Sequence, residues 1–154
     1  MVGILILGGC ATPAANVKTE LRTDELAPFC SSGSGALFGQ SFMKTRGGEV
    51  RSAAGNWVVL VPDLPYTREM LRLYISVGRQ MALSEFGNAA RKCMGDSAGN
   101  YEFQKVPAGN YLLFCEIYWD VPGRYGGRTG GLVYKYITLR DGERKKFILT
   151  PGSE

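Results

Sequence analysis

The sequence predicts a mainly β, antiparallel sandwich with one helical insertion, and three observations carry that reading. Period-two alternation of apolar and polar residues returns in short runs, clearest over 36–44 and 132–139, as one-sided strands require. Between the runs stand turns built from Gly, Pro, Asn and Asp, and the chain's 21 glycines cluster there. One stretch, 67–81, changes to helical spacing. Short strands and turns in this rhythm form antiparallel layers rather than βαβ units. A length of 154 residues suits one domain with a sizeable core.

The first strand begins at Ala36, with Leu37, Gly39, Ser41 and Met43 on one face and Phe38, Gln40, Phe42 and Lys44 on the other. Gly47-Gly48 turns the chain, and a second turn at Ala54-Gly55 leads into Trp57-Val58-Val59-Leu60-Val61, a dense run of β-formers. Pro62 stops it, and Pro65 confirms the break. From Thr67, residues Met70, Tyr74, Val77 and Met81 fall on one helical stripe that Gly78 interrupts or ends. This stripe is expected to pack on the sheet or over one end of it. Residues 84–92 fit neither pattern.

Asp96-Ser97-Ala98-Gly99-Asn100 is a turn, because aspartate bonds local amides and glycine accepts positive φ. Tyr101-Glu102-Phe103 is a short strand, and Pro107 and Gly109 shape a second turn. Tyr111 to Trp119 is the strongest strand: Tyr111, Leu113, Cys115, Ile117 and Trp119 face one way, while Leu112, Phe114, Glu116 and Tyr118 make the other face largely apolar too. Two covered faces belong to a central strand. A glycine-rich loop over 124–131 follows, then a strand over 132–139, a hairpin turn at Asp141-Gly142 and a last strand over 145–149.

At the other end, Met1 to Leu7 is apolar and runs into Gly8-Gly9-Cys10. Leu7-Gly8-Gly9-Cys10 resembles the lipobox of bacterial lipoproteins, which implies cleavage before Cys10 and a diacylglycerol on its thiol. Residues 1–9 are then a signal remnant and 10–35 a lipidated cysteine and tether, ahead of a domain over 36–150 and a tail over 151–154. Ala11 is not aspartate, so resemblance to lipoprotein sorting favours the outer membrane of a double-membrane cell envelope. An exported compartment permits disulfides. Cys93 and Cys115, which flank the Asp96–Asn110 stretch, are the pair expected to bridge, with Cys30 left as a free or intermolecular thiol; the alternative is three separate small buried hydrophobes.

Asp96, Gly99, Tyr101, Phe103, Val106, Pro107, Ala108, Gly109 and Tyr111 follow a D-x-x-G-x-[YF]-x-F-x-x-[VL]-P-x-G-x-Y pattern. It resembles the carboxypeptidase regulatory-like domains. That resemblance implies a transthyretin-like (prealbumin-like) Greek-key sandwich of about seven strands, in which the aspartate and glycines build turns. It also implies non-catalytic accessory or assembly roles.

The chemistry points the same way. The chain has no histidine, which removes the commonest general base, the His-containing triads and the HExxH zinc sites. Its four cysteines show no C-x-x-C spacing, and no glycine run makes a dinucleotide or P-loop fingerprint. No metal, cofactor or enzymatic reaction is expected. A net charge of +4 without a basic stripe gives no reason to expect nucleic acid. What remains is surface: Tyr118, Trp119, Arg124, Tyr125, Arg128, Tyr134 and Tyr136 have the make-up either of an interface or of strand packing. The expected function is a lipid-anchored envelope protein that binds or scaffolds another protein. The alternatives are a carbohydrate- or peptidoglycan-binding module using the Trp57, Trp119 and Tyr125 rings, or a self-assembling surface protein.

Overall fold

The computed structural model describes residues 16–123 and 126–152. The strands among them are β1 (Gly35–Lys44), β2 (Val50–Ser52), β3 (Trp57–Pro62), β4 (Arg91–Met94), β5 (Asn100–Val106), β6 (Gly109–Asp120), β7 (Arg128–Leu139) and β8 (Arg144–Leu149). Three helical segments accompany them: α1 (Thr23–Cys30), α2 (Pro65–Val77) and a 3-10 segment, Leu83–Ala89. Cys10, Arg124 and Tyr125 lie outside the described residues.

The strands form two open four-stranded sheets. In the first, β1 pairs with β5 antiparallel, with β8 parallel, and with β2 antiparallel near its C-terminal end. The second runs β4-β3-β6-β7 and is antiparallel throughout. The expectation of a wholly antiparallel Greek-key sandwich of about seven strands with one helical insertion, on the transthyretin-like plan, is therefore corrected. Eight strands lie in two uncurled sheets, one pairing is parallel, and three helical segments replace one.

The reasons are local. Asp24 and Glu25 in the first turn of α1 suit the positive end of its dipole, and Leu26 buries its apolar side. Pro65 opens α2 with a φ already suited to a helix, two residues ahead of the predicted start. Gly78, at φ +68°, closes it in the left-handed conformation that glycine adopts without penalty. The buried face of α2 is Tyr66, Thr67, Met70, Leu71 and Leu73, so the stripe is rotated from the predicted one and Val77 points to solvent. Over 84–92, Phe86 and Ala89 are buried in a kinked 3-10 turn, a geometry with no apolar period long enough to read.

Two apolar cores result. The first lies between the sheets and joins Leu37, Phe103 and Leu149 of one to Leu60, Leu113 and Ile117 of the other. The second lies on the opposite face of the β4-β3-β6-β7 sheet, where α1, α2 and the 3-10 segment cover Val59, Val61, Leu112 and Phe114. Strand β6 is thus central and buried on both faces, as its sequence predicts.

The part of the predicted tether within the described residues packs on the domain. Val17, Leu21 and Leu26 join the second core, and Phe29 meets Tyr111 edge-on at 5.3 Å. The Lys18 and Thr19 amides donate to the Glu69 carboxylate at 3.0 and 2.8 Å. With the Thr19 hydroxyl as the strongest contributor, these bonds hold the Glu69 carboxyl near pKa 2, below its usual 4.5. A lowered folded-state pKa stabilises above the unfolded value and is lost as pH falls through the folded one. Thermal melts of wild type and Glu69→Gln should therefore differ near neutral pH and converge as pH drops from about 4.5 toward about 2. A gap that persists at the acid end would show that the carboxylate is not what fastens this segment.

Candidate functional site

The helix layer leaves part of the second sheet uncovered where α2 ends. There the chain from Gly78 to Leu83 borders a cleft of about 270 Å³ against β3 and β6, lined by Gln80, Met81 and Leu83. Trp57 begins β3 and is 47% exposed, with its side chain on the helix-covered side alongside Val59. Lys92, across β4, places its ammonium 4.6 Å from the centre of the indole. Phe114 and Glu116 come from β6, Tyr74 from the last turn of α2, and Asn56 and Gln80 from the flanking loops.

Tyr74 donates its hydroxyl to Glu116 Oε1 and lies 3.1 Å from the Tyr118 hydroxyl. Burial and the Glu116 contact push the Tyr74 phenol well above its ordinary pKa, so it remains a donor. Asn56 Nδ2 donates to the Ala54 carbonyl at 3.2 Å, which leaves Oδ1 as its acceptor. The cleft therefore joins an exposed indole to a half-buried carboxylate and two amide side chains. A flat apolar face beside directed polar groups is the arrangement that holds a small polar ring.

The turn of the D-x-x-G motif fixes one wall. Asp96 accepts from the Ala98 and Asn100 amides at 2.8 and 2.9 Å, and the Asn100 side chain foremost holds its carboxyl below the usual range. Immediately before it, the Gly95 amide donates to the Asn56 carbonyl at 2.9 Å, and the Gly55 amide to the Gly95 carbonyl at 3.1 Å. Gly55 and Asn56 both line the cleft. Pro107 and Gly109 stand at the other end of β5, where Tyr111 donates to the Pro107 carbonyl at 2.7 Å.

The aromatic set suggested by the sequence is divided by the pleat. Tyr118, Tyr134, Tyr136 and Arg128 share the helix-side face, whereas Trp119 packs against the inter-sheet core. Arg128 sits 4.6 Å over the Tyr118 ring, and Arg68 5.5 Å over that of Tyr136. Tyr134 and Tyr136 meet edge-on at 6.3 Å. Trp57 and Tyr118 flank the Glu116 region, and Trp119 does not.

The described cysteines are free thiols. Cys93 and Cys115 are both register partners of Val58, one on each side of β3. Two strand spacings put their Cα atoms about 9–10 Å apart, beyond the roughly 7 Å that a disulfide spans. The expected bridge is corrected accordingly: a strand lies between the two cysteines. Burial pushes the Cys115 thiol up to about 12 and raises that of Cys93. Cys30 is exposed at the end of α1.

Sequence reasoning places Tyr74 on the helical stripe and Glu116 on the strongest strand but names none of Tyr74, Gln80, Asn56 and Glu116 as a site residue. Glu116 carried a signal: it is the one charged residue in the alternating set Leu112, Phe114, Glu116, Tyr118 of a strand otherwise covered on both faces. A second, more open cleft of about 470 Å³ lies on the outer face of the first sheet beside Phe38, Gln40 and Lys146. Its Glu102 is bonded to Arg144 at 3.4 Å, and that guanidinium stacks on Phe38 at 4.3 Å. Among the described residues no group of three or more His, Cys, Asp or Glu could hold a metal ion, and no acid–base cluster is assembled. None of the described helices is long and apolar enough to cross a membrane.

No protein-family model matches the chain, and no curated protein matches it in sequence. Among solved structures, it is similar to a proposed carbohydrate-binding protein from Pseudomonas aeruginosa, with 20% identity and a TM-score of 0.72 over 86% of this chain and 98% of that one. This likeness shows a shared mainly β fold. A minor pilin from Streptococcus agalactiae aligns far more loosely, at 13% identity and a TM-score of 0.41 over 77% of this chain and 44% of that one.

Proposed function

We propose that the protein is a non-catalytic, carbohydrate-binding envelope module that holds a glycan in the cleft beside Trp57. The observation that carries this reading is the exposed indole next to Glu116, Asn56 and Gln80 in one concave site. An indole covers the apolar face of a pyranose at low entropic cost, while a carboxylate and amides bond its hydroxyls. The fold shared with the P. aeruginosa protein, itself proposed to bind carbohydrate, supports the same class of ligand. Pull-down on glycan oligomers and on purified sacculi, with wild type and Trp57→Ala, tests it. Retention by wild type and loss in the variant is the expected pattern; no retention on any glycan would return the weight to a protein-binding scaffold.

Lipid attachment at Cys10 and residence at the outer membrane belong to the same proposal, supported by Leu7-Gly8-Gly9-Cys10. Expression in a bacterial host with a labelled fatty acid should place label and protein together in the membrane fraction. Cys10→Ser should abolish both, and an unlabelled wild-type protein would remove the anchor from the reading.

A further inference from the structure

We infer that the end of the domain where α2 finishes seats against the lipid bilayer that carries the Cys10 anchor. The inference goes beyond glycan binding and rests on the anchor proposed above. Asn16 lies at that end. The Arg79 guanidinium, just past α2, donates to Asn16 Oδ1 at 3.3 Å, while Lys18 and Thr19 lie farther back along the helix on Glu69. Followed from Thr19 to Asn16, the chain therefore runs along α2 toward its C-terminal end. Six peptide steps separate Asn16 from Cys10, a reach of about 22 Å at full extension. Strands β6 and β7, of 12 residues each, are about 40 Å long at roughly 3.3 Å per residue. A domain standing on its opposite end, the end of the Pro107–Gly109 and Arg140–Glu143 turns, would hold Asn16 farther from the lipid than that reach allows.

Exposed apolar side chains gather at the same end. Helix α2 runs back along β3, so its last turn comes level with the end of β6, where Tyr74 meets Glu116 and Tyr118. Ile75 and Val77 in that turn are 58% and 61% exposed, and neither joins either core. Met94 at the end of β4, Tyr118 on β6 and Val121 just past β6 are exposed as well. Arg79, Lys92 and Arg128 accompany them, with Glu116 and Asp120 as the acidic groups on this part of β6. Aliphatic side chains beside aromatic rings and basic groups are the make-up of a surface that lies in a bilayer interface. The apolar groups enter the headgroup boundary, while Lys and Arg keep their charge in water or on anionic headgroups.

The test couples the full chain through Cys10 to a maleimide lipid in vesicles of phosphatidylcholine with about 30% phosphatidylglycerol, which supply anionic headgroups. A Cys30→Ser background keeps the exposed Cys30 from competing. Hydrogen exchange is then compared with that of the uncoupled protein. Amides over 75–80 and 118–121 should exchange at least about threefold more slowly on the vesicle, and those of the Arg140–Glu143 turn should not change. Ile75→Asp combined with Val77→Asp, at positions without core contacts, should cancel the slowing. The coupling supplies the anchor, so failure here counts against the docked end, whereas an unlabelled protein in the fatty-acid experiment counts against the anchor alone. Slowing that persists in the aspartate variant, slowing at the Arg140–Glu143 turn instead, or no slowing at all would each overturn the inference.

Discussion

Trp57→Ala is expected to weaken glycan binding by roughly 30-fold or more and to lower the melting temperature by about 5–10 °C. An aromatic side chain buries on the order of 150–250 Å² when covered. Trp57 is 47% exposed in the free protein, so a sugar ring has about 100 Å² of indole left to cover. At about 25 cal/mol per Å² that is roughly 2.5 kcal/mol, or more than about 30-fold in affinity. Folding loses a similar amount, because the covered half of the indole is about as large. The indole's partners at this edge are the Lys92 ammonium at 4.6 Å and the neighbouring Met94, itself 52% exposed, and an exposed cation–π pair contributes about 0.5–1 kcal/mol. At about 2–4 °C per kcal/mol for a chain of this size, a loss of roughly 2.5 kcal/mol lowers the midpoint by about 5–10 °C.

Trp119→Ala should cost stability without touching the cleft. That side chain packs against the inter-sheet core, so its loss should cost about 3 kcal/mol of stability and leave the affinity of the folded fraction unchanged. Titration calorimetry beside thermal melts separates the two. Binding lost in Trp119→Ala but kept in Trp57→Ala would place the glycan on another surface.

The contrast between the two tryptophans shows where the sequence stops being informative. Alternation along β6 assigns its two faces correctly, because a period of two is a property of one strand. It does not say which face the helices cover, and so cannot tell that Tyr118 looks toward a cleft and Trp119 toward the sheet interface. Pro65 and Gly78 mark the ends of α2 in the sequence, yet the buried face of the helix is set by packing on β3 and β6 and came out rotated. The cysteines carry the same lesson. Their spacing suggests a staple across one turn, but the order β4-β3-β6 slips Val58 between them. Glu116 was visible as a charge in a buried strand, whereas Asn56 and Gln80 are loop residues that gain meaning only from the cleft they border.

Gly99→Ala is expected to destabilise the fold by about 3 kcal/mol and, in whatever remains folded, to loosen the site. Gly99 has φ +79°, and a Cβ there would stand 2.6 Å from the Ser41 carbonyl oxygen and 2.8 Å from the Ala53 amide nitrogen. Left-handed backbone costs alanine about 1–2 kcal/mol. The clash falls on a close bond network: the Ser41 amide donates to the Gly99 carbonyl, and the Ala53 amide to the Ser41 carbonyl, each at 2.9 Å. Weakening both adds about 1–2 kcal/mol, and the total corresponds to about 6–12 °C in the midpoint. Gly142→Ala is the control, because Gly142 has φ +68° with nothing within 4 Å of a Cβ, so only the backbone term applies. Melts that place the two variants together would show that the turn yields to the extra methyl. If Gly99→Ala falls well below Gly142→Ala, the motif is a structural clamp, and its reach extends to binding. Gly95, which leads into this turn, holds Gly55 and Asn56 through two backbone bonds, so displacing the turn moves one wall of the cleft. The predicted loss of sugar affinity in the folded fraction of Gly99→Ala is the measurable trace of that connection.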